Sequence, residues 1–320
     1  MSNKDQDTIA NPAGVIRRRG LLKCMAWAGT GVLWTLGGGV ASSALISSAK
    51  AAGPAASSLS FVQISDSHIG FKKPANPDPL GTLKETIGKI RALPVQPRFV
   101  LHTGDISHLA TPEQFDLAQS ALSEIGVPVH FVPGEHDIVD GADPRPYLAR
   151  FAPSASGDGW YSFDEAGAHF IALVNVVHTG DGGVGSLGPA QVAWLKDDVA
   201  HLSSSTPIVV FAHFPLWALY PEWGWNTADA AEALTALSRF GSVTVLNGHI
   251  HQVQQKVEGA MTFHTARSTA YPQPAPGQGD GPGPLALPAE QLRSAIGLRS
   301  VRNRQTRGPL VIVDQTLADA

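Results

Sequence analysis

The sequence predicts an α/β protein with mixed sheets, and three observations carry that expectation. Short apolar, β-rich runs recur along the chain, and each ends in a polar block. Helical stretches lie between several of these runs, as in strands joined by crossover helices. Two pairs of neighbouring runs are joined instead through tight turns, at Gly167 and at Gly259-Ala260, which adds antiparallel strands. With 320 residues, 43% hydrophobic and 16% charged, the chain can bury a substantial core.

The elements follow in order. Leu59 to Ile64 runs into Asp66 and His68. Asp78-Pro79 then starts a helix with Leu83, Ile87 and Ile90 on one face, an N-cap followed by proline at the first helical position. Phe99 to Leu101 ends at Gly104-Asp105, and Thr111-Pro112-Glu113-Gln114 reads as a capping box for a helix through Leu122. Val129 to Val132 leads into Gly134-Glu135-His136-Asp137. Trp160 to Phe163 and His169 to Val174 form the first hairpin. Ile208 to Phe211 leads into His213, and Val243 to Leu246 into Gly248-His249-Ile250-His251. Leu310 to Val313 reads as a final strand, so 59–320 is expected to be one domain. Within it the Pro/Gly-rich stretch 271–288 is expected to be a loop, either a floppy excursion or a flap near the site.

The N-terminus has the three parts of an export signal. Arg17-Arg18-Arg19-Gly20-Leu21-Leu22-Lys23 is basic, no charged residue follows until Lys50, and Ala49-Lys50-Ala51 forms an A-x-A cleavage site. The paired arginines and the Gly-rich, moderately apolar stretch resemble a twin-arginine signal over 1–51, with a short linker at 52–58. An uncleaved anchor is the alternative, because an uncharged run of this length could span a bilayer. Its glycines and serines favour cleavage, so the mature protein is expected to be periplasmic or extracellular, delivered by the twin-arginine machinery and without stable membrane association. Losing 1–51 removes six basic and two acidic residues, leaving 17 against 25 and a formal charge of −8. That charge is a poor match for nonspecific nucleic-acid binding, which rests on Lys and Arg neutralising phosphates. The only cysteine, Cys24, lies in the signal, so a metal site must use His, Asp, Glu and water.

The polar blocks supply that chemistry. Asp66, His68, Asp105, Glu135, His213, His249 and His251 each fall just beyond the end of an expected strand, where open α/β sheets place their ligand crevices. Asp66 and His68, like His249 and His251, are separated by one residue, so in an extended segment each pair projects to one side. Asp105 follows a glycine in a tight loop, a setting suited to a bridging carboxylate. Carboxylates and imidazoles without thiolates suit Fe, Mn or Zn.

In this order, from roughly Phe61 to Gln252, the blocks resemble those of the calcineurin-like metallophosphoesterases. Gly185-Ser186-Leu187-Gly188 with Gln191 and Trp194-Leu195 is similar to the cyclic-nucleotide and glycerophosphodiesterase branch, as is Gly248-His249-Ile250-His251-Gln252. The resemblance implies a four-layer α/β/β/α sandwich with a dinuclear metal centre. Asp66, His68, Asp105 and His251 would hold one ion, and Asp105, Glu135, His213 and His249 the other. It implies hydrolysis of a small-molecule phosphodiester or phosphomonoester through attack by a hydroxide bridging the ions. His136 would serve the leaving oxygen, with Asp137 orienting its imidazole. The alternative is an exported metal-binding or sensing protein on the same scaffold with little or no turnover.

Family members usually carry Asn where this chain has Glu135. An ionised glutamate cannot donate a hydrogen bond to substrate and adds a negative charge, so one ion as Fe(III), or weaker attraction for anions, is expected. A third reading has Glu135 swinging out as an unliganded base. His130, His169 and His201 read as surface or satisfied core residues, and His102 is open between roles. His108 stands where purple acid phosphatases of the wider family carry a tyrosine ligand, although a supporting or surface role is favoured. His178 and His264 could line the cleft, Arg267 could meet a phosphate, and Trp217, Tyr220, Trp223 and Trp225 could form a stacking wall.

Overall fold

Apolar runs without alternation decide the architecture, because a strand buried on both faces needs a layer on each side. The structure, a computed structural model, describes residues 58–139, 143–179, 184–303 and 310–319, and the backbone pairing of two strands nearer the N-terminus. The chain divides into Met1–Ala55 and Ala56–Ala320. In the first unit, β1 (Thr30–Gly37) and β2 (Val40–Ser47) pair antiparallel. The rest of the expected signal, 1–51, and the linker up to Ser57 lie outside the described residues.

The second unit holds two mixed sheets, as expected. The first is built from β3 (Ser60–Ile64), β4 (Phe99–His102), β5 (Val129–Phe131), β12 (Gly297–Asn303) and β13 (Leu310–Thr316), in the order β13-β12-β3-β4-β5. Here β3, β4 and β5 run parallel, and β12 is antiparallel to both neighbours. The second contains β6 (Tyr161–Glu165), β7 (Ala168–Ala172), β8 (Ile208–Ala212), β9 (Val243–Asn247), β10 (Gln255–Glu258) and β11 (Met261–Thr265), in the order β10-β11-β9-β8-β7-β6. Its central four strands are parallel, and the two expected hairpins add β6 and β10 antiparallel.

Strand alternation distributes the core over three layers. Phe61, Phe99, Leu101, Phe170, Val209, Phe211 and Leu246 meet between the sheets. The opposite face of the first sheet, with Val62, Ile64 and Val100, is covered by α1 (Pro79–Ala92) through Leu83, Ile87 and Ile90, and by α2 (Pro112–Ser123) through Phe115 and Leu122. The outer face of the second, with Ile171, Val210 and Val245, is covered by α4 (Pro189–Val199), which follows the short α3 (Arg145–Phe151), and by α5 (Ala230–Leu237).

Both helix starts form, with one correction. The Asp78 carboxylate accepts from Gly81 N at 2.9 Å, and Thr111 Oγ1 accepts from Gln114 N at 3.3 Å. The return half of the expected capping box is absent, because the Gln114 side-chain carbonyl accepts from His108 N and Leu109 N instead. The helix start thereby fixes the loop after Asp105. The sequence reading assigns no range to α3, α4, α5, α6 (Ala289–Ala295) or β12. Arg299 and Arg302 interrupt the apolar run of β12, yet Arg299 is only 1% exposed. It donates to Asp314 at 2.9 Å, to Gln63 Oε1 at 3.2 Å and to the Thr265 carbonyl at 2.9 Å, a tie from the first sheet to the second.

His169 is the satisfied core residue that was expected, with Nδ1 2.8 Å from Asp164 and Nε2 2.9 Å from Asp198. Burial disfavours its charged form, but the hydrogen bonds to Asp198 and Asp164 outweigh that and raise its pKa. A raised native pKa gives stabilisation that is full below the unfolded value of about 6.5 and lost as pH rises through the native value. His169→Gln should therefore lower Tm more at pH 5.5 than at pH 9, and equal losses would contradict this account.

Candidate metal centre

Each expected block lies at the C-terminal end of a strand: Asp66 and His68 after β3, Asp105 after β4, Glu135 after β5, His213 after β8, and His249 and His251 after β9. Asp66 N donates to the Gly104 carbonyl and His68 N to the Asp105 carbonyl, both at 2.9 Å, so the first two loops stay zipped beyond their strands. The backbone there is not extended, which corrects the expected geometry. Asp66, His68, Asp105, His249 and His251 have φ of 55°, 42°, 53°, 69° and 53°, five of the seven non-glycine residues with positive φ among those described. Asp and His tolerate this left-handed region better than most side chains, but each such residue still costs about 1 kcal/mol or more. The turns replace strand alternation as the device that aims each side chain inward.

Glycines make room for them. A Cβ on Gly134 would lie 2.1 Å from Asp105 Oδ1, one on Gly104 2.4 Å from His213 Nδ1, and one on Gly248 2.8 Å from Asp66 Oδ2. The donors consequently converge in two groups. In the first, His251 Nε2 is 3.3 Å from Asp66 Oδ1 and from His68 Nε2, and His68 Nε2 is 3.4 Å from Asp105 Oδ2. In the second, the Glu135 carboxylate is turned inward, with Oε2 2.7 Å from His213 Nε2 and Oε1 2.9 Å from His249 Nδ1. Asp105 Oδ2 stands 3.5 Å from His213 Nε2 and so faces both groups.

Backbone carbonyls set the imidazole faces. His213 Nδ1 donates to the Thr103 carbonyl at 2.7 Å and His251 Nδ1 to the Tyr271 carbonyl at 2.6 Å, which aims each Nε2 at the cluster, where a cation could take the place of its proton. Charge follows the same geometry. Burial would raise the Glu135 carboxyl, yet His249 and His213 hold it well below the usual range. Burial would lower His213, but Asp105 and Glu135 beside it reverse the sign and raise it well above the usual value. Asp66 Oδ2, Glu135 Oε2, His213 Nε2 and His249 Nδ1 are buried and make no well-aligned hydrogen bond, although Glu135 lies within ion-pair distance of His213 and His249. Buried carboxylate and imidazole atoms crowded against one another without well-aligned hydrogen bonds are what a pair of cation sites would show. The Asp66-His68-His251 and Glu135-His213-His249 groups each bring three donor atoms within 4.8 Å of one another. The residues present therefore fit the metal ions that the sequence implies.

The family model for the calcineurin-like phosphoesterases matches residues 59–253. The chain belongs to this family. It is 24% identical over 219 residues to a 3′,5′-cyclic-nucleotide phosphodiesterase of Nostoc sp., covering 67% of this chain and 79% of that protein. It is 25% identical over 196 residues to the glycerophosphodiester phosphodiesterase GpdQ of Enterobacter lignolyticus, covering 59% and 69%. Its fold is shared with a dimetal phosphatase from Danio rerio at a TM-score of 0.60 and 15% identity, over 80% of this chain and 98% of that one. As a calcineurin-like phosphoesterase the protein is a hydrolase acting on phosphoric esters, in a family that typically binds two metal ions.

Several residues of this phosphoesterase stand elsewhere than the sequence suggests. Asp137 does not orient the His136 imidazole. The one-turn 3₁₀ helix Glu135–Asp137 sends consecutive side chains in different directions. The Asp137 carboxylate is buried among loop donors, accepting from Ile106 N, Ser107 N, Gly134 N and Ser107 Oγ at 2.8–3.0 Å. His136 Nδ1 donates instead to the His108 carbonyl at 2.9 Å, and the two rings stack with centroids 4.7 Å apart. His108 Nδ1 is also 3.4 Å from His68 Nδ1, so His108 sits at the rim of the centre. His102 is fully buried and meets Ser67 Oγ at 2.8 Å, supporting the Asp66–His68 loop from below.

His178 lines the cleft beside the centre, whereas His264 lines a separate one near Asp314. Arg267 donates to the Ala295 carbonyl and is absent from the described cleft lining. Of the aromatic cluster only Trp223 reaches the cleft; Trp225 is buried and Trp217 lies against Phe263. Sequence reasoning missed the loop after β11. There Ser268 Oγ donates to the Asp66 carbonyl at 2.7 Å, and Tyr271 supplies the carbonyl for His251. Applying the strand-end rule to Met261–Thr265 would have found it. The start of the Pro/Gly-rich loop is thus the site flap rather than a floppy excursion, since Gln273 Nε2 also donates to the His249 carbonyl at 2.8 Å.

Replacing Asp137 by Asn would set an amide donor against backbone donors. Asp137→Asn should cost roughly 1–3 kcal/mol of stability and weaken divalent-metal binding in calorimetric titration. Unchanged metal affinity would mean that the carboxylate does not position the centre.

Proposed function

We propose that the protein is an exported, metal-dependent phosphoesterase that favours diesters over monoesters. The observation that carries this reading is the set of carboxylate and imidazole donors converging in two groups about Asp105. Asp66, His68, Asp105 and His251 would hold one ion, and Asp105, Glu135, His213 and His249 the other, drawn from Fe, Mn or Zn. Bound there, the ions would supply Lewis acidity toward a phosphoryl group and a water of lowered pKa.

The chain's own residues supply the rest. His136 commits Nδ1 to the His108 carbonyl, which leaves Nε2 to exchange a proton with a leaving oxygen. Its backbone amide donates to Asp105 Oδ1 at 2.9 Å, which fixes which carboxylate oxygen faces both donor groups. Glu135 sets the charge. With Asp66 and Asp105 it makes three carboxylates, so two divalent ions leave at most one net positive charge, against two in a site with Asn. That lowers the attraction for a dianionic monoester more than for a monoanionic diester. One Fe(III) would restore the difference.

Purified protein should carry two metal ions per chain and lose ester hydrolysis on chelation. Asp105→Ala should abolish turnover, and His136→Ala should reduce it by roughly 10²–10⁴ with metal content retained. Glu135→Asn should raise the monoester-to-diester rate ratio. A metal-binding or sensing protein would keep its ions and show no dependence of ester turnover on His136; a ratio unmoved by Glu135→Asn would remove the charge argument.

Export rests on the paired arginines Arg18-Arg19 followed by Gly20-Leu21-Leu22-Lys23, the A-x-A site and the absence of cysteine beyond Cys24. A reporter fused to residues 1–51 should leave the cytoplasm and be retained when both arginines become lysine. Export of that double variant would contradict a twin-arginine route.

A further inference from the structure

The cleft beside the donor cluster is larger and more apolar than a phosphoryl group needs. It encloses about 1140 Å³, and ten of its 17 described lining residues are apolar. Ile138, Val176 and Phe214, each 3% exposed or less, make its floor as one cluster. Leu109, 56% exposed, stands at the lip with Trp223 and Pro282. The floor runs directly into the donor cluster, because the Phe214 ring meets the His249 ring edge-on at 4.2 Å.

The polar side chains along this cleft, away from the donor cluster, are largely committed. Ser186 Oγ donates to Asp229 at 2.9 Å, and His178 is 3.4 Å from Asp158. Among the described lining residues there is no Lys or Arg. Asp140-Gly141-Ala142 and Gly180-Asp181-Gly182-Gly183, which interrupt the lining segments in sequence, contain none either. A second phosphate would find no cationic partner here, whereas an alkyl or aryl group would find a preformed apolar surface.

We propose that the substrate is a monoanionic phosphodiester carrying one apolar ester group, alkyl or aryl, which lies in the trench above the Ile138-Val176-Phe214 floor, against the partly exposed Val139, Val177 and Trp223. This rests on the phosphoesterase reading and names the substrate class of the same site. The apolar group supplies binding in the trench, the single negative charge matches the reduced charge that Glu135 leaves, and specificity comes from area rather than from paired charges.

The test uses metal-loaded protein and 4-nitrophenyl diesters that share a leaving group and differ in the second ester: methyl, hexyl, phenyl or thymidine. The hexyl and phenyl diesters should exceed the methyl diester in kcat/KM by roughly tenfold or more, with the thymidine diester below both. Separating hexyl from phenyl distinguishes an alkyl from an aryl substrate. Leu109→Lys, at an exposed position, should erase the hexyl advantage while methyl turnover persists. Trp223→Ala should reduce the advantage without reversing it.

Equal kcat/KM across the diesters, or a preference for thymidine, would overturn the inference and leave the phosphoesterase reading intact. A calorimetric titration with hexyl against methyl methylphosphonate separates the opposite case. Selective binding of the hexyl compound with no turnover of any ester would support the trench and sink the phosphoesterase reading. Equal binding with no turnover would sink both.

Discussion

Two buried carboxylates with a third, from the partly exposed Glu135, turned in beside them are the constraint on which the rest of this structure depends. Asp66 and Asp105 are almost fully buried, and Glu135 turns its carboxylate in to join them. An uncompensated buried charge is among the most costly features a fold can carry, and five imidazoles stand around these carboxylates. The imidazoles line up around them, and burial pushes His68 well below its usual value while Asp105 and Glu135 draw His213 well above it. The donor set requires cations, and the fold is arranged to hold it together.

That holding is done largely by the main chain. Five left-handed residues amount to several kcal/mol of local strain, a large share of the about 5–15 kcal/mol by which a domain is stable. The strain is opposed from beneath. Gln63 Nε2 reaches Thr103 Oγ1 and the Asn247 carbonyl, Arg299 reaches Gln63 and the Thr265 carbonyl, and Asn247 Nδ2 reaches the Ala212 and Phe214 carbonyls. The polar network crosses between the sheets just where the donor loops leave them. It makes the separation of the two sheets, and with it the distance between the donor groups, a fixed quantity rather than a property of loops.

The parts of the fold legible in the sequence were those carried by local signals. Unbroken apolar runs, the Asp78 and Thr111 caps and the Gly167 and Gly259 turns each sit where the sequence puts them, and together they give mixed sheets with helices outside. β12 was illegible because its arginine is neutralised by Asp314 and hydrogen-bonded to Gln63, partners that only tertiary contact provides. At the site, strand-end position sufficed to gather Asp66 through His251 in one place. The spacing argument did not, because a period of two assumes extended backbone and these residues turn left-handed. Asp137 was misplaced for a similar reason, since adjacency to His136 in sequence becomes divergence on a 3₁₀ turn. The trench was legible only at His178 and Trp223, because Leu109, Ile138, Val176, Phe214 and Trp223 come together from four separate connections of the chain.

In the proposed function Glu135 is the residue that sets the charge of the centre, and its carboxylate would link that charge to the substrate admitted. The most direct measurement is a crystal structure of the metal-loaded protein with anomalous diffraction at the edges of Mn, Fe and Zn. Two anomalous peaks are predicted, one among Asp66, His68, Asp105 and His251 and one among Asp105, Glu135, His213 and His249, with Glu135 in the coordination sphere of the second. A single peak, or a second ion that Glu135 does not touch, would contradict the account.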